Sequence, residues 1–173
     1  MAIEADLEQL TTDLTEGQFQ APPRTGGWSV GYCIEHLILT GNAFLATWDV
    51  ALAAPVNGHA VGAPFPYSWW QRGILGLAER PYHLKVKTTR QFVPYTRRPK
   101  DDTIRRFLKV HPEIERRLKA SSAVDAKRVK VRSPFASWIW YPLGLSFDLV
   151  LAHERRHLWQ ARQVREQFAK QSE

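Results

Sequence analysis

Cysteine is almost absent from this sequence, since Cys33 is the only one among 173 residues. A single thiol excludes an intramolecular disulfide framework and any zinc site built from several cysteines. No run of 18 apolar residues occurs, and the first ten residues, MAIEADLEQL, lack the basic and apolar segments of a signal peptide. We therefore predict a cytoplasmic protein without a membrane span.

Acidic residues are also few relative to basic ones, with 17 Asp and Glu against 24 Lys and Arg and a net charge of +7. Such an excess of positive charge can attract nucleic acids or anionic substrates. The basic residues are spread along the chain, however, and neither an aromatic-interleaved basic motif nor a recognition helix accompanies them. We interpret the charge as a basic, solvated surface and do not expect a nucleic-acid partner.

Length and composition favour one domain, residues 1–173, because a chain that is 44% hydrophobic can build a single core of this size. Helical periodicity and capping residues predict four long helices. They run from the N-terminus to near Gly17, from Ser29 to about Ala54, from Asp101 or Asp102 to Leu118, and from about Leu145 to Phe168. The predicted fold class is therefore all-α.

Residues 55–100 connect the second and third helices and show little sustained periodicity. We predict a long crossover with local structure there, including a short helix in YSWWQRGILGLAER and an extended HLKVKTTRQFV. The segment SPFASWIWYPLG, before the last helix, is predicted as a loop. Four long helices with one long connection between the second and third are typical of a four-helix bundle with a crossover.

The string HERRH, residues 153–157, carries the first candidate chemistry. At 100° per residue, His153 and His157 lie together in the middle of the core-facing stripe of the last helix. Two inward imidazoles are costly to bury unless each finds a partner, and a metal ion within reach of both is one such partner. Ordinary core histidines with separate hydrogen-bond partners are the alternative.

HERRH also matches H-E-x-x-H, the zinc-peptidase motif in which the glutamate is the general base. Three features argue against that interpretation. Arg155 and Arg156 occupy positions that are usually uncharged, the continuation lacks a metzincin's glycine and third histidine, and too little chain follows for a further glutamate ligand. Glu154 and Glu35, each beside a candidate ligand, are expected at the surface or at a helix edge.

A third histidine, His36, lies on the second helix, to one side of its main apolar stripe. Its neighbours on that face include Tyr32, Cys33 and Thr40 and are small or weakly polar, as in a cavity wall. One histidine from this helix can meet two from the last helix inside the bundle, which is how bundles build metal sites. His36 as a hydrogen-bonded cavity histidine is the alternative, and His111 is expected in a packing or surface role.

Two motifs carry a resemblance to a known family: W-S-x6-H-L at residues 28–37 and H-x3-H-x2-Q at residues 153–160. Joined by a long crossover, they resemble the DinB/YfiT-like superfamily, and AHERRHLWQARQV is very similar to that family's last helix. The resemblance implies an up-down-down-up bundle, often dimeric, with a three-histidine site for a divalent metal. By motif matching, the ligands would be His36, His153 and His157. In some branches it implies thiol transferase and isomerase activities.

These observations predict a metal-dependent enzyme of small molecules, either an S-transferase that uses a low-molecular-weight thiol or a related hydrolase. Three imidazoles leave open positions on an ion, which is typical of catalytic rather than closed structural zinc. Gln160 is predicted to orient the ligands, and Tyr32, Cys33 and Thr40 are further pocket candidates, although Cys33 is better explained as a small buried hydrophobe. Zinc or nickel is the expected ion, with iron or manganese as further candidates.

Two alternatives of another class remain open at this point. The first is a non-catalytic stress-response or binding bundle in which the metal is structural or absent. The second, weaker one is a nucleic-acid binder that uses the excess of basic residues. Whether the chain is an enzyme or a binding protein, we expect a homodimer, because the resemblance implies one and the tryptophan-rich loops offer apolar surface.

Overall fold

The structure, a computed structural model, describes residues 2–53, 67–79 and 88–169. Its helices are α1 (Ala2–Thr11), α2 (Glu16–Gln20), α3 (Val30–Ala53), α4 (Trp69–Ala78), α5 (Lys100–Ala120) and α6 (Leu143–Ala169). Two short strands, β1 (Lys130–Arg132) and β2 (Trp140–Pro142), and two 3-10 turns, Arg90–Phe92 and Ser121–Ala123, are also present. This mainly helical architecture confirms the predicted fold class.

Helices α3 and α5 run in the same direction along the bundle. Near the start of α3, the carboxylate of Glu35 accepts hydrogen bonds from the Arg106 guanidinium at 2.8 and 2.9 Å. Near its end, Asp49 pairs with Arg117 at 2.9 Å. Because both partners advance together along the two helices, α3 and α5 are parallel.

Helix α6 runs against α3. The start of α3 meets the middle of α6 where His36 lies beside His153, whereas Trp48 near the end of α3 donates a hydrogen bond to Ser146 at 2.8 Å. Helix α1 in turn runs with α6, since Asp6 pairs with Arg162 and the Gln9 carbonyl accepts from Arg165. Together these directions confirm the up-down-down-up order of the bundle.

The second and last helices agree closely with their predicted ranges, and the third begins slightly earlier. Ser29 caps α3 as predicted, because its Oγ accepts a hydrogen bond from the Tyr32 N–H at 3.1 Å. The predicted cap of α5 is wrong: the Lys100 N–H donates to the Glu16 carboxylate at 2.9 Å, so the cap comes from α2. Asp101 and Asp102 lie in the first turn, where their charge favours the helix dipole.

The N-terminal helix is shorter than predicted, because α1 ends at Thr11 and a separate helix follows. Thr15 starts α2 through a capping box, in which its Oγ accepts from the Gln18 N–H at 3.2 Å and the Gln18 side chain accepts from the Thr15 N–H at 3.0 Å. Leu14 between the two helices is buried. The apolar spacing therefore continues across a break that periodicity alone does not reveal.

Local structure in the connections differs in part from the predictions. The short helix predicted in YSWWQRGILGLAER is present as α4. The prediction of an extended HLKVKTTRQFV is wrong at Arg90–Phe92, which forms a 3-10 turn. Residues 83–87 of that segment lie outside the described residues. The loop predicted in SPFASWIWYPLG is wrong at β2, which pairs antiparallel with β1 and sets Val131 opposite Tyr141.

The full path of the predicted crossover between α3 and α5 stays a prediction. Parallel neighbouring helices require the chain to return along the bundle between them. Residues 54–66 and 80–87, which include the predicted helix end at Pro55, are not among the described residues. The described part, α4, packs against α6.

The core lies where α1, α3, α5 and α6 meet, and its largest fully buried side chains are Trp48, Phe19, Phe107 and Phe147. Gly41 allows α3 and α5 to approach closely, since an added Cβ would lie 2.7 Å from the Val110 Cγ1. Among the described helices, none is long and apolar enough to cross a membrane. The buried apolar side chains of the described residues form one continuous cluster.

Candidate metal centre

Three histidine side chains from two antiparallel helices converge inside the bundle. His36 comes from the second turn of α3, and His153 and His157 come from successive turns of α6. One nitrogen of each ring lies within 4.8 Å of the other two. The ring centroids are 4.5 Å apart for His153 and His157, 4.6 Å for His36 and His157, and 5.0 Å for His36 and His153.

The backbone of the Arg90–Phe92 turn fixes the orientation of the His36 ring. The Nδ1 of His36 lies 2.7 Å from the Phe92 carbonyl, and because a carbonyl only accepts, this nitrogen carries the proton. The Nε2 of neutral His36 then presents its lone pair to the Nε2 of His153, which lies 2.9 Å away. A hydrogen bond from the second ring nitrogen to a carbonyl is the usual support of a metal-binding histidine.

The third ring, His157, has a buried polar atom that the described residues leave unsatisfied. Its Nδ1 has no hydrogen-bond partner among the described residues, although the side chain is only 8% exposed. Trp28 stacks on this ring with centroids 5.7 Å apart and also contacts His36 at 4.8 Å. A buried, unpaired imidazole nitrogen is unfavourable unless a ligand completes the site.

All three imidazoles are neutral near pH 7. Burial lowers the pKa of His36, and it lowers the pKa of His153 to about 3, with further repulsion from His36 and Arg156. Burial and the two neighbouring rings hold the pKa of His157 well below its usual value. Because only the neutral imidazole offers a lone pair to a metal, the cluster is already in its binding form.

The cluster opens onto a cavity of about 360 Å³. Its wall is mostly apolar, and the described lining residues besides the histidines are Phe44, Ile74, Leu77, Ala78, Thr88, Thr89, Phe135, Tyr141, Leu149 and Arg156. The cavity is within the range of small-molecule sites, which combine an apolar wall with a few polar groups. A small molecule can therefore reach the histidine nitrogens from one side.

The predicted pocket residues on α3 do not line this cavity. Cys33 is fully buried in the hydrophobic core, and burial raises the pKa of its thiol to about 12. The Thr40 hydroxyl donates to the His36 carbonyl at 2.9 Å, so it contacts the helix backbone and not the ring. Tyr32 is half-buried and also absent from the cavity wall. The cavity opens instead toward α4 and the segment around Phe135, which periodicity on α3 cannot reveal.

Gln160 is the predicted accessory residue that does contact a histidine of the cluster. It lies one turn beyond His157 and makes a side-chain hydrogen bond that opposes the lowering of the His157 pKa. The side chain is half-buried, on the same helix as two of the three histidines. This contact is compatible with the predicted orienting role.

The expected surface positions of Glu154 and Glu35 are wrong, because both carboxylates are buried. Glu154 is 2% exposed and accepts a hydrogen bond from the Nδ1 of His111 at 3.0 Å, on the side of α6 that faces α5. Glu35 is 6% exposed and binds Arg106 and Thr103 of α5. The helix edge predicted to be wet is therefore covered by α5.

This arrangement explains the burial of His111 and separates Glu154 from the histidine cluster. His111 is 1% exposed and occupies a packing position, one of the two roles expected for it. Its hydrogen bond holds the Glu154 carboxylate toward α5, and Glu154 does not line the cavity. The glutamate of HERRH is thus not positioned to activate a nucleophile beside the three histidines, as a peptidase would require.

Three contacts of the site have no signal in the sequence. The Phe92 carbonyl belongs to a turn that was predicted as extended, and Trp28 was considered only as part of the W-S motif. Arg156, for which the sequence predicts no role at the site, lines the cavity and donates to the Leu77 carbonyl at 2.9 Å. Each depends on a connecting segment folding back onto the bundle.

The donor set fits a divalent metal. Two nitrogens bound to one tetrahedral zinc ion would be about 3.3 Å apart. The distances in the cluster, from 2.9 Å between two Nε2 atoms to a maximum of 4.8 Å, include that value. His36, His153 and His157 could therefore hold an ion that would also satisfy the unpaired nitrogen of His157, while the cavity side stays open.

Comparisons with known proteins place this arrangement in a family. The sequence profile described as the DinB superfamily matches residues 2–161. Among solved structures, the chain is similar to YfiT from Bacillus subtilis, described as a "probable metal-dependent hydrolase with an unusual four-helix bundle topology". That match has 14% identity and a TM-score of 0.59, covers 96% of this chain and 82% of YfiT, and shows the fold. No curated protein matches the chain in sequence.

Proposed function

Because this chain belongs to the DinB superfamily and brings three neutral histidines together at a cavity, we propose that it is a divalent-metal-dependent enzyme of small molecules. The ligands would be His36, His153 and His157. The observation that carries the proposal is the buried Nδ1 of His157, which has no hydrogen-bond partner among the described residues and lies in a ring beside two further imidazoles with lowered pKa values. Ordinary core histidines would each have found a hydrogen-bond partner.

The open side of the site favours catalysis over a structural role. A closed structural site would supply four protein ligands, whereas the described chain offers three at this position. When bound, a divalent ion would lower the pKa of a coordinated thiol or water. Zinc or nickel is the first candidate on nitrogen donors, with iron and manganese as further candidates.

The finer proposal is transfer of a low-molecular-weight thiol, with hydrolysis as the related reaction. In thiol transfer, sulfur forms a bond to an electrophilic carbon while the leaving group departs with the electron pair of its bond to that carbon. The thiol proton passes to solvent. The apolar wall around Phe44, Phe135 and Leu149 would hold the electrophile and exclude competing water. A cytoplasmic location, where small thiols are kept reduced, belongs to this proposal.

Metal analysis of single variants tests the ligand set. His36→Ala, His153→Ala and His157→Ala should each strongly reduce the bound divalent metal, since two imidazoles form an incomplete set. Cys33→Ala is the matched control, because Cys33 is a buried potential ligand one turn from His36 that lies in the core. The Cys33→Ala variant should retain a full equivalent of bound metal. Metal content is measured by mass spectrometry after removal of loosely bound ions.

One result would refute the assignment of the three-histidine site. If His36→Ala binds a full equivalent of metal with undiminished affinity, the site does not include α3, and the thiol-transfer proposal fails with it. Thiol-dependent turnover of an electrophile panel, compared before and after chelation, then separates an enzyme from a binding protein with a structural metal.

We also propose a homodimer. Apolar side chains are exposed on the β1–β2 hairpin, where Trp138 is 81%, Ile139 40% and Trp140 56% exposed. Three large adjacent hydrophobics at the surface are typical of an interaction site. A second copy of the chain is the simplest partner for such a patch.

A further inference from the structure

The β1–β2 hairpin brings Tyr141 into the cavity wall, and the proposed metal site gives this tyrosine no role. The side chain is 7% exposed and lines the same cavity as the three histidines. Its hydroxyl oxygen lies 2.6 Å from the Oγ of Ser133, which is also buried. Burial raises the pKa of Tyr141, and the hydrogen bond with Ser133 opposes this rise only in part. The phenol therefore keeps its proton at neutral pH.

The backbone after Ser133 decides which hydroxyl donates in the pair of Tyr141 and Ser133. The serine Oγ lies 3.2 Å from the Phe135 nitrogen and 3.3 Å from the Ala136 nitrogen. Both N–H groups can only donate, and together they occupy the two lone pairs of the serine oxygen. The proton of Ser133 is then directed at Tyr141, so the phenol oxygen accepts in this pair and its own proton is not used.

The hydroxyl proton of Tyr141 needs an acceptor from outside the described chain. Among the described residues, the hydrogen-bond partner of the phenol oxygen is the Ser133 Oγ, whose lone pairs are already occupied. A buried hydroxyl proton without an acceptor is unfavourable, and donation from Ser133 polarises the phenol and makes it a stronger donor. The open space beside Tyr141 is the cavity, so the acceptor is water or a bound molecule.

We propose that the cavity binds a compact apolar molecule with a neutral carbonyl oxygen, and that Tyr141 donates a hydrogen bond to that oxygen while Phe44 and Phe135 contact the apolar body. A neutral donor suits a neutral acceptor, since a phenol cannot compensate the charge of a buried carboxylate. In the proposed reaction this bond would draw electron density from the electrophilic carbon. As a statement about the substrate, the inference rests on the proposed function. The hydrogen bond itself forms without metal and can be tested separately.

Two ring compounds of nearly the same shape test this contact in metal-free protein. They are para-fluoroacetophenone, which has a carbonyl group, and para-fluoro-α-methylstyrene, which has a methylene group in place of the carbonyl oxygen. Fluorine NMR titration after chelation gives the Kd of each. Tyr141→Phe should weaken the ketone about fivefold, the contribution of one neutral hydrogen bond, and leave the alkene unchanged.

Tyr95→Phe is the matched control, because it removes the hydroxyl of a tyrosine that is 90% exposed and lies outside the described cavity wall. This variant should bind both probes as the wild type does. The infrared carbonyl band of the bound ketone gives a second readout, since a donated hydrogen bond lowers its frequency. The band should move to higher frequency in Tyr141→Phe. A purely structural role of Tyr141 would change both affinities together and leave the band in place.

Ser133→Ala tests the direction of the hydrogen bond within the pair. If Ser133 donates to Tyr141, its removal leaves the phenol proton available and only lessens the polarisation of the phenol. The ketone should then be weakened less than in Tyr141→Phe. Tighter binding of the ketone than in the wild type would show that Tyr141 normally donates to Ser133, and would overturn the inference.

Three further outcomes would also overturn it. These are an equal loss of both probes in Tyr141→Phe, an unchanged carbonyl frequency in that variant, and no saturable binding of the ketone. If the ketone fails to bind while the histidine variants still lose metal, the substrate inference is wrong and the metal site stands. If the histidine variants keep their metal, the proposed function fails, whereas the Tyr141 contact is judged by the two probes alone.

Discussion

Replacement of Glu154 separates the two chemical roles that HERRH could have. In a peptidase this glutamate is the general base beside the metal, whereas here its carboxylate accepts a hydrogen bond from His111 at 3.0 Å. Both side chains are almost fully buried, at 2% and 1% exposure. We therefore predict that Glu154 stabilises the α5–α6 contact and that Glu154→Gln leaves metal retention nearly unchanged.

The expected loss of stability follows from the burial and the charge of the His111–Glu154 pair. Burial alone would lower the pKa of His111, but the hydrogen bond and charge of Glu154 raise it above its usual value. Removing one partner of a buried ion pair costs about 3–5 kcal/mol, because the other charge is left uncompensated. Glu154→Leu should show this loss, and in a chain of this length it lowers the Tm by roughly 6–20 °C. Glu154→Gln keeps an acceptor and should lose only about 1–3 kcal/mol.

A double-mutant cycle measures the pair by urea unfolding of metal-free protein. The double variant His111→Leu with Glu154→Leu leaves no buried charge, so we expect it to be more stable than Glu154→Leu alone. Strict additivity of the two single changes would show that the side chains do not interact. Glu154→Gln that keeps its metal and wild-type stability but loses all turnover would refute a structural role and identify Glu154 as a base.

Two remaining predictions concern pH and assembly. Metal-free protein should lose stability as pH falls below about 6.5, since the unfolded histidines gain protons while burial keeps the folded pKa values low, to about 3 for His153. Each such histidine contributes a slope of about 1.4 kcal/mol per pH unit in that window, and urea midpoints for His153→Gln should show a smaller slope. Light scattering at micromolar concentration should give a dimer for the wild type. Trp138→Ser with Trp140→Ser should give a monomer, and a monomeric wild type would contradict the dimer proposal.

The long helices and the pairing of His153 with His157 could be predicted from the sequence because both depend on spacing within single helices. Ser29 marks the start of α3, and a separation of four residues places His153 and His157 on one face. His36 followed from its position beside the apolar stripe.

The surroundings of the histidines could not be predicted in the same way. Phe92 is 56 residues from the ring that its carbonyl binds, and Leu77 is 79 residues from Arg156. Both belong to the segment between α3 and α5, whose residues show little periodicity. The choice among Phe92, Thr40 and Cys33 as the neighbour of His36 depends on how that segment folds back, which is a tertiary property.

The prediction for Glu154 failed for a reason that also explains why H-E-x-x-H does not identify a peptidase. At 100° per residue, successive residues of α6 point to different neighbours: His153 to α3, Glu154 to α5, and Arg155 and Arg156 to α4. In this bundle α6 is covered in all three directions within one turn. A glutamate base needs an open path from its carboxylate to the ion, and α5 occupies that direction through His111. The spacing of the two histidines therefore supports a metal, whereas the function of the glutamate is set by the helix packed against it.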